Sequence, residues 1–114
     1  MSRVVVAEKI SPAGLDLLRR AGHEVVDLAG AGRDQLLAAL ADADALLVRS
    51  ATNVDPALLA AAPKLSVVGR AGVGVDNVDV PAASARGVLV LNSPTGNVVS
   101  AVEHTSGVLL ALLR

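Results

Sequence analysis

Five short runs of β-branched and aliphatic residues recur about every twenty positions along this 114-residue chain: Val4–Ala7, Glu24–Leu28, Ala45–Ser50, Leu65–Arg70 and Val88–Asn92. Largely apolar runs of this length read as strands covered on both faces, which is the habit of parallel sheets. The intervals between them carry helix signals. Ser11 stands as an N-cap before Pro12 at the first helical position, and Gly22 closes that segment. Leu36, Leu37 and Leu40 share one face of a helix over 33–43, with Asp34 near its start. Asp55 caps a helix that opens at Pro56 and is stopped by Pro63, and a shorter helical stretch within 77–87 closes at Gly87. Strand and helix alternating without interruption predict a doubly wound α/β protein. Right-handed crossovers favour a five-stranded parallel sheet of flavodoxin-like order, with helices on both faces and a further helix at the C-terminal end.

Composition narrows what such a sheet can bind. Hydrophobic residues make up 53% of the chain and mean hydropathy is +0.58, yet Phe, Tyr and Trp are absent. The core must therefore be aliphatic. Flavin sites and single-strand nucleic-acid platforms, which stack flat ligands on rings, are disfavoured. A net charge of −1 without a basic run argues against a nucleic-acid partner. No cysteine is present, so disulfides and thiolate metal sites are excluded, and the composition fits a cytoplasmic setting. No apolar block approaches the ~20 residues of a membrane span.

In open α/β sheets, ligands bind beyond the carboxyl ends of the strands. Those ends carry Glu8 and Lys9, Arg49 and Ser50, Arg70 to Gly74, and Asn92 to Asn97. Arginines, a serine, asparagines and glycine amides are donors, and they suit a small carboxylate or phosphate. The glycine-rich stretch VVGRAGVGVDNVDV (67–80) fails the dinucleotide template, because Asn77 stands where the third glycine is required after Gly72 and Gly74. It fails the P-loop template too, since Val75 and Asp76 follow Gly74. Its amides read as anion donors. His23 reads as solvated, and His104 beside Glu103 as structural, because adjacent helix residues do not face each other. A receiver domain would need a phosphorylatable Asp after the third strand, where Arg49-Ser50 stands.

Four blocks now carry a resemblance: LLVRSAT (46–52), GRAGVGVDNVD (69–79), ARGVLVLNSPTGN (85–97) and SAVEH (100–104). In order and spacing they resemble the amino-terminal part of the NAD-dependent D-2-hydroxyacid dehydrogenases, over essentially the whole chain. The resemblance implies a substrate-binding domain over 1–97 and, over 98–114, a helix leading toward an NAD-binding domain. Arg49 and Ser50 are similar to the pair that contacts a substrate phosphate, which points to the members that oxidise 3-phosphoglycerate to 3-phosphohydroxypyruvate in serine biosynthesis. Val73 and Gly74 match backbone that holds the substrate carboxylate, and Asn97 matches a contact at the interdomain cleft. Asn77 reads as loop-stabilising. The family's cofactor loop and its catalytic Arg, Glu and His lie beyond the SAVEH helix. The 114 residues are therefore expected to hold no catalytic residue and no NAD, to be inactive alone, and to take a phosphorylated hydroxy acid as ligand. The apolar stretch 98–114, with capping-box spacing at Ser100 and Glu103, is expected to fold back or to pair or swap with a second copy. A non-catalytic scaffold or dimerising module is the alternative.

Overall fold

The five apolar runs become five strands in the computed structural model, which describes residues 3–9, 12–49, 51–70 and 77–92. They are β1 (Arg3–Val6), β2 (Glu24–Asp27), β3 (Ala45–Val48), β4 (Val67–Arg70) and β5 (Leu89–Asn92). All pair in parallel in the order β2-β1-β3-β4-β5, the flavodoxin-like order expected from the sequence. β2 to β5 are shorter than their apolar runs, and β1 is shifted one residue earlier than its own. The ladder nevertheless continues past the strand ends, with the Ala7 amide donating to Leu47 and the Leu28 amide to Val6 at 3.0 and 2.9 Å.

Between the strands lie α1 (Pro12–Arg20), α2 (Arg33–Ala39), α3 (Pro56–Ala60) and α4 (Val80–Ala85). The helix expected over 33–43 is α2 followed by a tighter 3-10 turn at Leu40–Asp42. Two of the helices end in the same device. Gly22 (φ +91°) and Gly87 (φ +74°) take the left-handed conformation that glycine adopts without a Cβ clash. After α1, His23 N–H donates to Leu18 and Gly22 N–H to Arg19; after α4, Val88 donates to Ala83 and Gly87 to Ser84. Each pair of bonds is a Schellman closure that satisfies terminal carbonyls and throws the chain directly into the next strand.

Alternation along the strands sorts the core into two layers. Val5, Leu46, Val48 and Val68 point to one face, where they cluster with Leu36, Leu58, Leu59 and Ala83 from α2, α3 and α4. Val4, Val6, Ala45, Leu47 and Val67 point to the other, against Leu15 and Leu18 of α1. The asymmetry follows from the strand order. The chain steps one way from β1 to β2 and the other way in every later crossover, so crossovers of one hand place the first helix opposite the rest. Leu89, on the α1 side of β5, is 46% exposed.

One sequence expectation is corrected here. His23 is not solvated; it is 6% exposed, because the Schellman turn carries position 23 inward. The expected helix over 98–114, with Ser100, Glu103 and His104, lies outside the described residues.

Candidate functional site

The pairing of β1 with β3 places Val6 beside Leu47, so Glu8 falls beside Arg49 just beyond the carboxyl ends of both strands. Glu8 turns its carboxylate onto the turn that follows β3. Oε2 accepts the amides of Arg49 and of Thr52, the latter at 3.3 Å, and Oε1 accepts the amide of Ala51 at 3.0 Å. The same turn is gripped from its carbonyl side by Asn77. Asn77 Nδ2 donates to the carbonyls of Arg49 and Thr52, both at 2.6 Å, while its Oδ1 accepts from Arg70 Nε at 2.5 Å. A parallel bridge between Val54 and Val78 brings Asn77 there, closed by Val54 N–H to Asn77 O and Asp79 N–H to Val54 O at 2.8 Å.

The expected donor edge is thus built differently from its sequence reading. Arg70 is not an outward donor: it is 8% exposed and engages Asn77. Glu8, grouped by sequence with the edge but given no role, organises the turn. An acidic residue just past a buried strand, at an edge otherwise made of donors, was the available signal. Arg49 is exposed at the edge. Asn77, expected to stabilise the glycine-rich loop, holds the turn after β3 and Arg70, and residues 71–76 of that loop lie outside the described residues. Ser50, Val73, Gly74 and Asn97 lie outside the described residues.

A second feature at this edge is a cavity of about 260 Å³, bounded by Ala7, Leu28, Leu36, Arg33, Thr52 and Asn53. Its one guanidinium is already matched. Arg33 Nη2 binds both carboxylate oxygens of Asp55 at 2.8 and 2.9 Å, and Nη1 reaches the Asn53 carbonyl at 3.3 Å. Asp55 also accepts the Leu58 amide at 2.9 Å as the cap of α3. That amide, with Arg33 adding to it, holds the Asp55 carboxyl below its usual range. The arrangement couples α2 to α3 and does not make the cavity an anion site.

The turn after β1, Ala7 to Lys9, contains no glycine and carries the Glu8 carboxylate, a negative charge where dinucleotide-binding folds cradle a pyrophosphate. Among the described residues no group of three His, Asp or Glu side chains could hold a metal, and no helix is long and apolar enough to cross a membrane.

Fold and edge together define the class: a parallel five-stranded α/β domain of flavodoxin-like strand order, with an exposed arginine at the carboxyl edge of β3, the edge at which such sheets bind ligands. The family to which it belongs follows from comparison. The model of the D-isomer specific 2-hydroxyacid dehydrogenase catalytic domain matches residues 4–108, and the chain belongs to that family. It is 58% identical to D-3-phosphoglycerate dehydrogenase of Mycobacterium tuberculosis over 97% of this chain and 21% of that protein. Against the enzyme of the same name from Sus scrofa it is 44% identical over its full length, again 21% of the relative. The structure is similar to the NAD+-bound 3-phosphoglycerate dehydrogenase of Entamoeba histolytica, with a TM-score of 0.72 at 28% identity, over 80% of this chain and 32% of that one. The chain therefore spans about a fifth of the length of the curated relatives it matches.

Proposed function

We propose that this chain is the substrate-binding side of a D-3-phosphoglycerate dehydrogenase, taking up 3-phosphoglycerate for oxidation to 3-phosphohydroxypyruvate in the cytoplasm. The observation that carries the reading is Arg49: an exposed guanidinium at the carboxyl edge of the central strand, on a turn gripped from both sides. Arginine is the side chain best shaped for forked recognition of phosphate. Ser50 is assigned to the phosphate beside it, Val73 and Gly74 to the carboxylate, and Asn97 to the far wall of the cleft. The nicotinamide cofactor of the parent enzyme is assigned to residues other than these, in keeping with the poor fit of the β1 turn. The 114 residues alone are assigned binding without turnover.

Calorimetric titration of the chain with 3-phosphoglycerate tests this. Removing a charge-assisted contact from a phosphate is worth about 1.5–3 kcal/mol, so Arg49→Ala should weaken binding by roughly ten- to a hundredfold. Equal affinity in the two proteins would overturn the assignment of Arg49. Turnover of 3-phosphoglycerate with NAD by this chain alone would overturn the division of labour.

A second reading draws on Leu89, exposed on the α1 side of β5. β5 is the last strand of the sheet order, and an edge strand can template pairing with another chain; residues 98–114 are assigned to such a contact with a second copy. A monomer in sedimentation equilibrium at high concentration would remove it.

A further inference from the structure

We propose that Glu8 is a positioning residue for the substrate anion: by accepting the amides of Arg49, Ala51 and Thr52, it fixes the turn that presents Arg49. The inference rests on the reading of Arg49 given above and deepens it.

The geometry separates this role from two others that a carboxylate at a substrate edge could play. A general base needs a lone pair directed at the proton it removes. Both oxygens of Glu8 are instead committed to backbone donors, three amides shared between them. A ligand-mimicking plug would occupy donors that the substrate needs and would have to leave when substrate arrives. Glu8 occupies the amides of a turn whose carbonyls are held at the same time by Asn77 at 2.6 Å. With amides and carbonyls both engaged, the turn has little backbone freedom left. Moving Glu8 out would hand the exposed amides of Arg49 and Ala51 to water, take the carboxylate from the part-buried amide of Thr52, and release one side of the clamp.

The clamp also has a consequence for specificity. In many anion sites the turn amides themselves form the cradle. Here the amides of Arg49, Ala51 and Thr52 are spent on Glu8, so these three form no cradle for an anion, and the Arg49 side chain is the donor that the turn carries to the edge. An anion bound by a guanidinium is selected for forked geometry as well as charge. The turn must then hold the Arg49 backbone still, because a long side chain on a mobile turn loses much of its affinity to ordering entropy.

The test compares the wild-type chain with Glu8→Gln and Glu8→Asp, by titration with 3-phosphoglycerate and by amide hydrogen exchange. Glutamine preserves size but turns an NH2 group toward an amide donor, whereas aspartate keeps the acceptor pair one methylene shorter. Glu8→Gln should weaken 3-phosphoglycerate binding by about tenfold, the loss expected when hydrogen bonds to a charged group are removed. It should speed exchange at Ala51 and Thr52, while Val5 and Leu46 in the sheet keep their protection. Glu8→Asp should recover part of both effects, a rescue that a bulk-packing role would not produce. Unchanged affinity in a folded Glu8→Gln protein would overturn the proposal and leave the Arg49 reading standing. If the wild-type chain does not bind 3-phosphoglycerate, the Arg49 reading fails for this chain, and exchange alone then decides the clamp: faster exchange in the Gln variant supports it, equal exchange overturns it. If Glu8→Gln does not fold, the wild-type exchange rates decide. Protection of Ala51 and Thr52 would support the clamp, and free-peptide rates at both would refute it.

Discussion

His23 shows how much a single residue's environment depends on the turn before it. Its neighbours in sequence, Gly22 and Glu24, suggest a solvated position, but the left-handed Gly22 turns it inward and leaves it 6% exposed. Burial pushes its imidazole below the usual value of 6.5, with Asp44 pulling in the opposite direction. The fold therefore resists a proton that the unfolded chain accepts. Stability should be full above about pH 6.5 and should decline as pH falls from there toward the lower native value. Urea unfolding at about pH 7.5 and 5.5 should reveal that decline, and His23→Gln should flatten it even if the variant is less stable throughout. A slope that survives in the variant would assign it to other groups. Glu8 and Arg70 teach the same lesson with opposite signs. Both stand in the donor-rich edge that the sequence suggests, yet the acid organises the turn and the buried arginine serves Asn77. Side-chain chemistry was legible at these positions; the direction each side chain takes was not.

At the scale of elements, the devices that depend on near neighbours in sequence were the most legible. Asp55 before Pro56 was expected to cap α3, and its carboxylate accepts the Leu58 amide at 2.9 Å. Gly22 and Gly87 were expected to close their segments, and both adopt positive φ. The Arg33–Asp55 pair, 22 positions apart in sequence, was not foreseen, because only the packing of α2 beside α3 brings the two together. Asp55→Ala should cost about 1 kcal/mol at neutral pH, the ordinary loss of a cap. The Asp55 carboxyl lies below its usual range, so its contribution is present above the unfolded value of 3.8 and is lost as pH falls through the lower native value. Stabilities of wild type and Asp55→Ala should therefore converge under strongly acidic conditions. Asp55→Asn, which keeps a capping acceptor, should lose less than the alanine variant. An equal loss would mean that the Arg33 pair carries the effect.

For the whole molecule, the decisive fact is that β3 lies in the middle of the sheet with both faces covered. Its four residues are at most 2% exposed. Leu46→Ala should cost about 2–5 kcal/mol, since a truncated side chain in an aliphatic core without rings leaves a cavity that its neighbours fill only in part. Leu89→Ala, at 46% exposure, should change stability by less than about 0.5 kcal/mol. Chemical denaturation of the two variants checks both, and a Leu46 loss near that of Leu89 would contradict the central placement of β3. The sequence by itself determined the α/β class, the five strands and the helix closures, because periodicity and capping are local, and it narrowed the strand order, because the handedness of crossovers leaves few topologies. Only the tertiary structure decided that Glu8 and Asn77 meet on opposite sides of one turn, and that Arg70 is buried at the edge where Arg49 is exposed. Those contacts join residues up to 44 positions apart, and their geometry depends on strand register and on the Val54–Val78 bridge, which no short stretch of sequence encodes.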